Sequence, residues 1–293
     1  MNAFFLALLA SFFLALQGAL MAAHYRSMDE LSAVAYRGLS LGITFLPLLF
    51  FVPRSAFALL PGQLPYLLLA AAIAGIANTF AAFSMRILVI SLGNAIGFST
   101  AAFVGAVIDA AVYGKFLSRE EVVVIVLLLV ALYFFSRGSG SVQLVREGRL
   151  ITGVLCGVLF GVLIGIAFAI VGELSKASHP FLVGYCWELL IGVCSIVFAL
   201  GRGVTHRRGL ESISLRRFWG IAWAAAPTAL GTGLYMYALS TGPLALVSAL
   251  LSTTMVFSMI FGLLFYKEKF GMREVVLLLI ITVLLALLKI CAS

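Results

Sequence analysis

The chain alternates between long apolar runs and short polar or basic breaks. A membrane-spanning helix needs about 20 largely apolar residues, and the runs have about that length. Prolines, glycines and arginines occupy the breaks, where they end helices. The pattern therefore predicts an all-α polytopic membrane protein with ten spanning helices, over residues 3–23, 33–52, 66–86, 94–113, 121–137, 150–172, 181–200, 218–239, 244–265 and 273–290.

Composition agrees with this pattern. The 293 residues are 63% hydrophobic and 10% charged, with a mean hydropathy of +1.19, whereas a soluble domain carries roughly 25% charged residues. A water-soluble fold is thereby excluded, and the lipid bilayer is the predicted partner. The net charge of +8 lies in short clusters between the apolar runs. Such clusters set the orientation of membrane proteins, so a nucleic-acid partner is not predicted.

The two halves of the chain resemble each other at an offset near 150 residues. Residues 92–95 align with 241–244, and residues 115–123 align with 269–277. Five spans is an odd number, so the second copy enters the membrane from the opposite side. The alignment predicts two inverted five-helix repeats, over residues 1–140 and 150–293. This architecture lets one half rock against the other around a central site.

Short motifs in the second half resemble a known family. The stretch Tyr-Met-Tyr-Ala-Leu-Ser-Thr-Gly-Pro-Leu-Ala at 235–245 and the helix that follows it resemble the closing half of EamA-type members of the drug/metabolite transporter superfamily. Tyr36-Arg37-Gly38 resembles the Ala-Leu-Arg at the start of that family's second helix. The resemblance implies a secondary transporter of the inner (plasma) membrane. The sequence is compatible with both a monomer and a homodimer.

Three charged residues stand out because they lie away from the ends of the predicted spans: Arg37, Glu188 and Asp109. Each carries an insertion penalty of about 2.5 to 3.5 kcal/mol, which calls for a partner or a role. Arg37 and Glu188 are separated by 151 residues, so the duplication places them at equivalent positions of the two halves. Arg37 could bind a substrate carboxylate and Glu188 a substrate ammonium.

Other roles for these three residues stay open. Arg37 and Glu188 could instead pair with each other as a structural lock, or Arg37 could extend to the interface. Asp109 is predicted either to lie at the interface, paired with Lys115 or Arg119, or to take part in proton coupling. Glu188 is a second candidate for proton coupling.

Polar and aromatic side chains in the spans complete the predicted substrate site. Its hydrogen-bonding candidates are Gln17, Asn78 and Ser252, and further amides and hydroxyls such as Asn94, Thr228, Thr232 and Thr254 could join them. Its aromatic candidates, which could stack on a substrate or bind a cation, are Tyr36, Trp187, Trp223, Tyr235 and Tyr237. A glycine stripe at 153, 157, 161 and 165 predicts close helix packing, within the chain or between two copies.

The chain offers little for catalysis or for a resident metal. Its three histidines lie at span ends or in loops, there is no HExxH or P-loop pattern, and the cysteines show no CxxC spacing. We therefore predict no enzyme activity, no cofactor and no metal. The predicted substrate is an amino acid or an amino-acid-derived compound such as an opine-type metallophore, since the resembled family contains exporters of both.

Alternatives to this function are an efflux carrier for drugs or cationic metabolites and, less favoured, a membrane-embedded enzyme or a structural subunit. Orientation is also open. The side of the membrane opposite the termini carries 13 of the basic residues against 5 on the termini's side. The positive-inside rule then places both termini outside, whereas the family resemblance implies that both are cytoplasmic.

Overall fold

The computed structural model describes residues 3–88, 90–114, 118–138, 150–206, 209–266 and 272–291. These ranges form helices and no strand, which confirms the predicted all-α class. The helices are α1 (Ala3–Ser27), α2 (Glu30–Thr44), a 3-10 helix (Leu46–Phe51), α3 (Arg54–Ala58), α4 (Leu60–Ile87), α5 (Ile90–Ala111), α6 (Arg119–Gly138), α7 (Leu150–Ala177), α8 (Pro180–His206), α9 (Leu215–Ala225), α10 (Pro227–Thr241), α11 (Leu244–Leu251), α12 (Thr254–Tyr266) and α13 (Met272–Cys291).

Several of these helices are long and apolar enough to cross a membrane. By length and composition, five segments of the described chain qualify: Ala3–Ser27, Leu60–Ile87, Ile151–Ala177, Pro180–Val204 and Leu244–Phe265. The chain is therefore a multi-pass membrane protein. The total of ten spans stays a prediction.

Three predicted spans are interrupted. The second ends as an α-helix at Thr44 and continues as the 3-10 helix, whose second residue is Pro47. The eighth breaks at Ala226, because Pro227 has no N–H to continue the helix. The ninth breaks at Ser252 and Thr253, where the Thr253 hydroxyl donates to the Leu250 carbonyl at 2.7 Å. Such a bond competes with the regular helical pattern.

Helix packing relates the two halves of the chain. Helix α1 packs against α10, and the corresponding pair, α7 and α4, packs in the same way. Three further pairs join equivalent helices: α2 with α8, α5 with α11, and α6 with α13. This exchange symmetry is what a pair of inverted repeats predicts. Their boundaries at 1–140 and 150–293 stay a proposal.

Glycines allow the closest helix contacts. A Cβ atom added to Gly38 of α2 would lie 2.4 Å from the Cα of Gly192 in α8, so these helices touch backbone to backbone. A Cβ atom on Gly161 of α7 would lie 2.3 Å from the Gly97 carbonyl oxygen of α5. The other glycines of the predicted stripe also face α4 or α5. Its intramolecular packing is therefore confirmed.

The bundle has two ends, named here by one residue each. At the Asp29 end, Arg202 Nη2 lies 2.6 Å from Asp29 Oδ2, and Arg217 Nη1 lies 3.3 Å from Glu211 Oε1. At the Gly242 end, α1 begins beside the turn between α10 and α11, and a Cβ atom on Gly242 would lie 2.7 Å from that of Ala3. These two ends serve as reference points for the site.

Candidate functional site

A cavity lies in the middle of the bundle, between helices of both halves. The volume open to the centres of water molecules is about 90 Å³. By the same measure, a single water needs roughly 10 to 15 Å³. The space therefore suits several waters or a small solute. Its lining residues are Leu14, Gln17, Gly18, Tyr25, Arg37, Asn78, Ala81, Met85, Asn94, Phe98, Phe160, Ile164, Phe168, Trp187, Glu188, Thr228, Thr232, Tyr235 and Thr254.

An ion pair between the two halves lines this cavity. Arg37 Nη2 donates to Glu188 Oε2 at 2.6 Å, and the Thr232 hydroxyl donates to Glu188 Oε1 at 2.7 Å. The crossing of α2 and α8 explains the contact, since Gly38 follows Arg37 directly and Gly192 lies one turn after Glu188. With a side chain at either glycine, the two helices could not approach so closely.

Burial makes this pair consequential. The side chains of Arg37 and Glu188 are 8% and 4% exposed. Removing two charges from water is unfavourable unless their geometry is good and further hydrogen bonds satisfy them. Both carboxylate oxygens of Glu188 accept a hydrogen bond, whereas Arg37 Nε has no hydrogen-bond partner among the residues described. The guanidinium thus retains a donor for another acceptor.

Aromatic rings close the cavity toward the Gly242 end. The Phe168 ring centroid lies 4.5 Å from that of Tyr235 and 5.8 Å from that of Trp187. In the opposite direction the cavity extends to Tyr25 and Met85, near the ends of α1 and α4 at the Asp29 end. The cavity therefore leans toward the Asp29 end and has an aromatic floor.

Amide side chains form the wall on the first half. Gln17 Nε2 donates weakly to the Tyr25 hydroxyl at 3.5 Å, and Asn94 Nδ2 donates to Ser258 Oγ at 3.3 Å. Asn78 Nδ2 donates to the carbonyl of Ala74 in its own helix. These amides combine buried polarity with long or local hydrogen bonds, and such groups can exchange partners with a ligand.

Six of the predicted substrate-binding residues line this cavity. They are Arg37, Glu188, Gln17, Asn78, Trp187 and Tyr235. The structure therefore brings together the ion pair, both predicted amides and two of the predicted aromatics. Asn94, Thr228, Thr232 and Thr254 also line it.

Four predicted site residues lie elsewhere. The Tyr36 hydroxyl donates to the Glu211 carbonyl at the Asp29 end, at 2.7 Å, and the Tyr237 hydroxyl lies 3.0 Å from His179 Nε2 at the Gly242 end. Ser252 is buried at the helix break and donates to the Ser248 carbonyl. Trp223 is 80% exposed on the outer surface. Its predicted place beside Tyr235 assumes one continuous helix, but the helix breaks at Ala226 between the two residues.

Asp109, the predicted interfacial or proton-coupling residue, is buried within the protein. Only 2% of the residue is exposed, and its Oδ2 accepts the backbone N–H of Ala245 at 2.7 Å. The predicted partner Lys115 lies outside the described residues. Asp109 is therefore a link between α5 and the start of α11.

The sequence pattern did not single out several lining residues. Tyr25 lies beyond the predicted first span, and it interacts with the Arg37 guanidinium. Phe160, Ile164 and Phe168 recur every four residues along α7, which is one helix face. The same periodicity also describes a lipid-facing stripe, so it could not distinguish the two environments.

Comparison with known proteins agrees with the fold. The crystal structure of a protein superposes with a TM-score of 0.72 and 12% sequence identity, covering 99% of this chain and 97% of its own. At that identity the likeness shows the fold alone.

No curated protein matches the sequence. Residues 151–289 match the EamA-like transporter family. The predicted resemblance is thus confirmed for the second half of the chain, which matches an EamA-like transporter domain.

Proposed function

We propose that this transporter carries a small zwitterion, an amino acid or an amino-acid-derived compound such as an opine-type metallophore, by alternating access. The observation that carries the proposal is the buried Arg37–Glu188 pair on the cavity wall. One partner comes from each half of the chain. A solute between the halves can therefore contact a cation on one side and an anion on the other.

Binding would proceed by exchange of partners. The substrate carboxylate takes the place of Glu188 on the Arg37 guanidinium, and the substrate ammonium takes the place of Arg37 on Glu188. In the empty carrier the two side chains neutralise each other, which avoids an unpaired buried charge. Arg37 Nε, which has no hydrogen-bond partner in the described part of the chain, gives the guanidinium a second donor for a bidentate carboxylate contact.

The rest of the cavity supports a substrate of modest size. The space for several waters suits a compound of amino-acid dimensions better than a bulky drug. The floor of Phe168, Trp187 and Tyr235 gives an apolar surface for its side chain. The amides of Gln17 and Asn78 offer hydrogen bonds on the facing wall.

Export across the inner membrane is the direction that the family resemblance favours. By the positive-inside rule the Asp29 end would be cytoplasmic, and the cavity would then load its substrate from there. The family's orientation places the Asp29 end outside, and the same cavity would then be the release site. A reporter fused after Ser293 decides between the two, because it reports the side on which the termini lie.

Transport measured in proteoliposomes tests the proposal. Uptake of a radiolabelled amino-acid mixture is compared for the unmodified protein, Arg37→Gln, Glu188→Gln and the double variant, with Glu121→Gln as a control at an exposed carboxylate. We expect all three cavity variants to lose transport, and the double variant to lose it without losing thermal stability. Equal transport by the cavity variants and the unmodified protein would reject the zwitterion.

A cationic substrate is the second candidate, because aromatic rings line the cavity beside Glu188 and can bind cations. Competition separates the two candidates. Amino acids should inhibit uptake more strongly than the corresponding decarboxylated amines if Arg37 contacts substrate. The reverse order, together with transport that survives Arg37→Gln, would favour cation efflux.

A further inference from the structure

The carboxylate of Asp109 holds the beginning of another helix. Its Oδ2 accepts the Ala245 N–H at 2.7 Å, in the first turn of α11. Residue Pro243 precedes α11 and provides no side-chain cap. The first N–H groups of a helix have no partner within it and carry partial positive charge, so an anion there is stabilising. Helix α11 thus receives its cap from α5.

Helix α11 is a short segment with a break at its far end. All eight residues from Leu244 to Leu251 are buried. The break at Ser252 and Thr253 follows, with hydrogen bonds that reach back three residues instead of four. Thr254, directly after the break, lines the cavity. One end of α11 therefore meets Asp109, and the other meets the substrate site.

A second contact shows how closely α5 holds this segment. Gly105 lies one turn before Asp109, on the same face of α5. A Cβ atom at Gly105 would lie 3.2 Å from Leu244 Cγ and 3.5 Å from the Ala245 backbone nitrogen. Gly105 and Asp109 together form a cradle for the first turn of α11, at the Gly242 end of the bundle.

Helix α5 makes a different contact toward the Asp29 end, with α12 on the other side of the break. There Asn94 of α5 donates to Ser258 of α12 at 3.3 Å, between two neutral side chains. At the Gly242 end the corresponding contact carries a carboxylate and is shorter. The two contacts occupy matching places in the two halves, yet only the one with Asp109 joins a titratable side chain to its partner helix.

We propose that Asp109 is the proton-binding site that couples pH to opening of the Gly242 end. While Asp109 is ionised, its bond to Ala245 keeps α11 against α5 and the cavity closed at that end. Protonation removes the negative charge at the helix start, so this attraction weakens. Helix α11 then moves about the break at Ser252 and Thr253 and opens a path from the cavity. The Gly242 end therefore stays closed while Asp109 is ionised and opens once Asp109 is protonated.

Other titratable and charged groups lie near this contact. Tyr113, one turn after Asp109, senses its charge, and Lys176 of α7 lies 5.5 Å from the Tyr113 ring centroid. Lys176 is itself paired with Glu173. Helix α6 begins at this end with Arg119, Glu120 and Glu121, and α11 contributes no titratable side chain. Among these groups, Asp109 is the carboxylate that accepts a hydrogen bond directly from α11.

Cysteine labelling tests the inference without a substrate. In protein whose cysteines Cys156, Cys186, Cys194 and Cys291 are replaced by serine, Ser248→Cys places a thiol on buried α11. Proteoliposomes are treated with a membrane-impermeant maleimide at several external pH values. The labelling rate of Ser248→Cys is divided by the labelling rate of Ser55→Cys, an exposed position at the Gly242 end. The ratio corrects for thiol reactivity and for the orientation of the protein.

We expect the normalised rate to rise about 5- to 30-fold as the pH falls, the range that loss of a partly buried charge at a helix start would give. Asp109→Asn should label fast at every pH. Asparagine can still accept a hydrogen bond from the helix start, as aspartate does, but it has no negative charge to hold α11. Asp109→Glu should retain the pH response. Glu121→Gln removes a carboxylate that accepts the Ser118 N–H at the start of α6, and it should label as the parent does.

Labelling that does not change with pH in the parent, or that changes equally in Asp109→Asn, would overturn the inference. So would an equal effect of Glu121→Gln, which would mean a general response of this end of the bundle. Because no substrate is present, failure here leaves the zwitterion proposal intact. Conversely, a normal pH response with no amino-acid transport would reject only the substrate.

Discussion

Arg37 Nη2 and Glu188 Oε2 lie 2.6 Å apart, although 151 residues separate them in the chain. Each residue belongs to a different half, and both line the same cavity. The contact therefore depends on the two halves meeting in the correct register. A change in either residue affects both the cavity and the packing between halves, and these two effects can be separated by experiment.

Breaking this pair on one side should destabilise the protein more than removing it completely. Arg37→Leu or Glu188→Leu leaves one buried charge unpaired, which costs about 3 to 5 kcal/mol. The double variant Arg37→Leu/Glu188→Leu should be close to the parent in stability. Thermal unfolding in detergent measures the three variants. Additive losses in the double variant would mean that the two side chains act independently.

Glycine substitutions should reveal how closely α2 and α8 approach. A Cβ atom at Gly192 would lie 2.7 Å from the Leu39 backbone nitrogen, so Gly192→Ala forces the helices apart. We expect a loss of about 1 to 3 kcal/mol, as for other overpacked sites. Gly201→Ala on the same helix meets no atom within 4 Å and serves as the control. Similar unfolding temperatures for the two variants would contradict the contact.

The Asp29 end should become less stable in acid. Burial raises the pKa of Asp29, but hydrogen bonds from Arg202 and Ser32 outweigh it, and the pKa lies below its ordinary value of 3.8. A depressed carboxyl pKa contributes stability above the ordinary value, and that stability is lost as the pH falls through the folded pKa. Asp29→Ala, which also removes the α2 cap, should cost about 0.5 to 2 kcal/mol at neutral pH.

This difference between Asp29→Ala and the parent should shrink as the pH falls below 3.8. Asp29→Asn retains a cap and should lose only the charge interaction with Arg202. Unfolding measured between neutral pH and pH 3 distinguishes the variants. A difference that stays constant across this range would show that ionised Asp29 contributes nothing.

Two tryptophans should respond differently to the same change. Trp187 is buried at the cavity floor, whereas Trp223 is 80% exposed on the outer surface. We expect Trp187→Leu to reduce amino-acid uptake by proteoliposomes and Trp223→Leu to leave it unchanged. If Trp223 bound substrate, as the sequence predicted, Trp223→Leu would reduce uptake. Protein content and thermal stability of both preparations provide the control.

Much of the architecture follows from sequence patterns. The apolar runs locate the helices, because a chain in lipid must satisfy its backbone hydrogen bonds internally. The repeat offset predicts equivalent positions for Arg37 and Glu188 in the two halves, and the two side chains are in contact. These inferences succeed because they depend on composition and symmetry, which local packing does not alter.

Other features depend on local packing and were not predictable. The break at Ser252 and Thr253 contains no proline or glycine, and it arises from side-chain bonds to the backbone. The eighth span contains Pro227, but its effect on Trp223 depends on the direction of the chain beyond the break. Phe160 and Phe168 look the same in sequence whether they face lipid or a cavity, because both environments are apolar.

The self-neutralising pair has an electrical consequence. Moving one elementary charge across a membrane potential of 100 mV requires about 2.3 kcal/mol of electrical work. A binding site with a single unpaired charge would therefore feel this field whenever the carrier changed its orientation. Arg37 and Glu188 together carry no net charge, and a zwitterion adds none. With the proposed zwitterion as substrate, the Arg37–Glu188 pair would add no electrical work to the transport cycle, whether the site is empty or loaded.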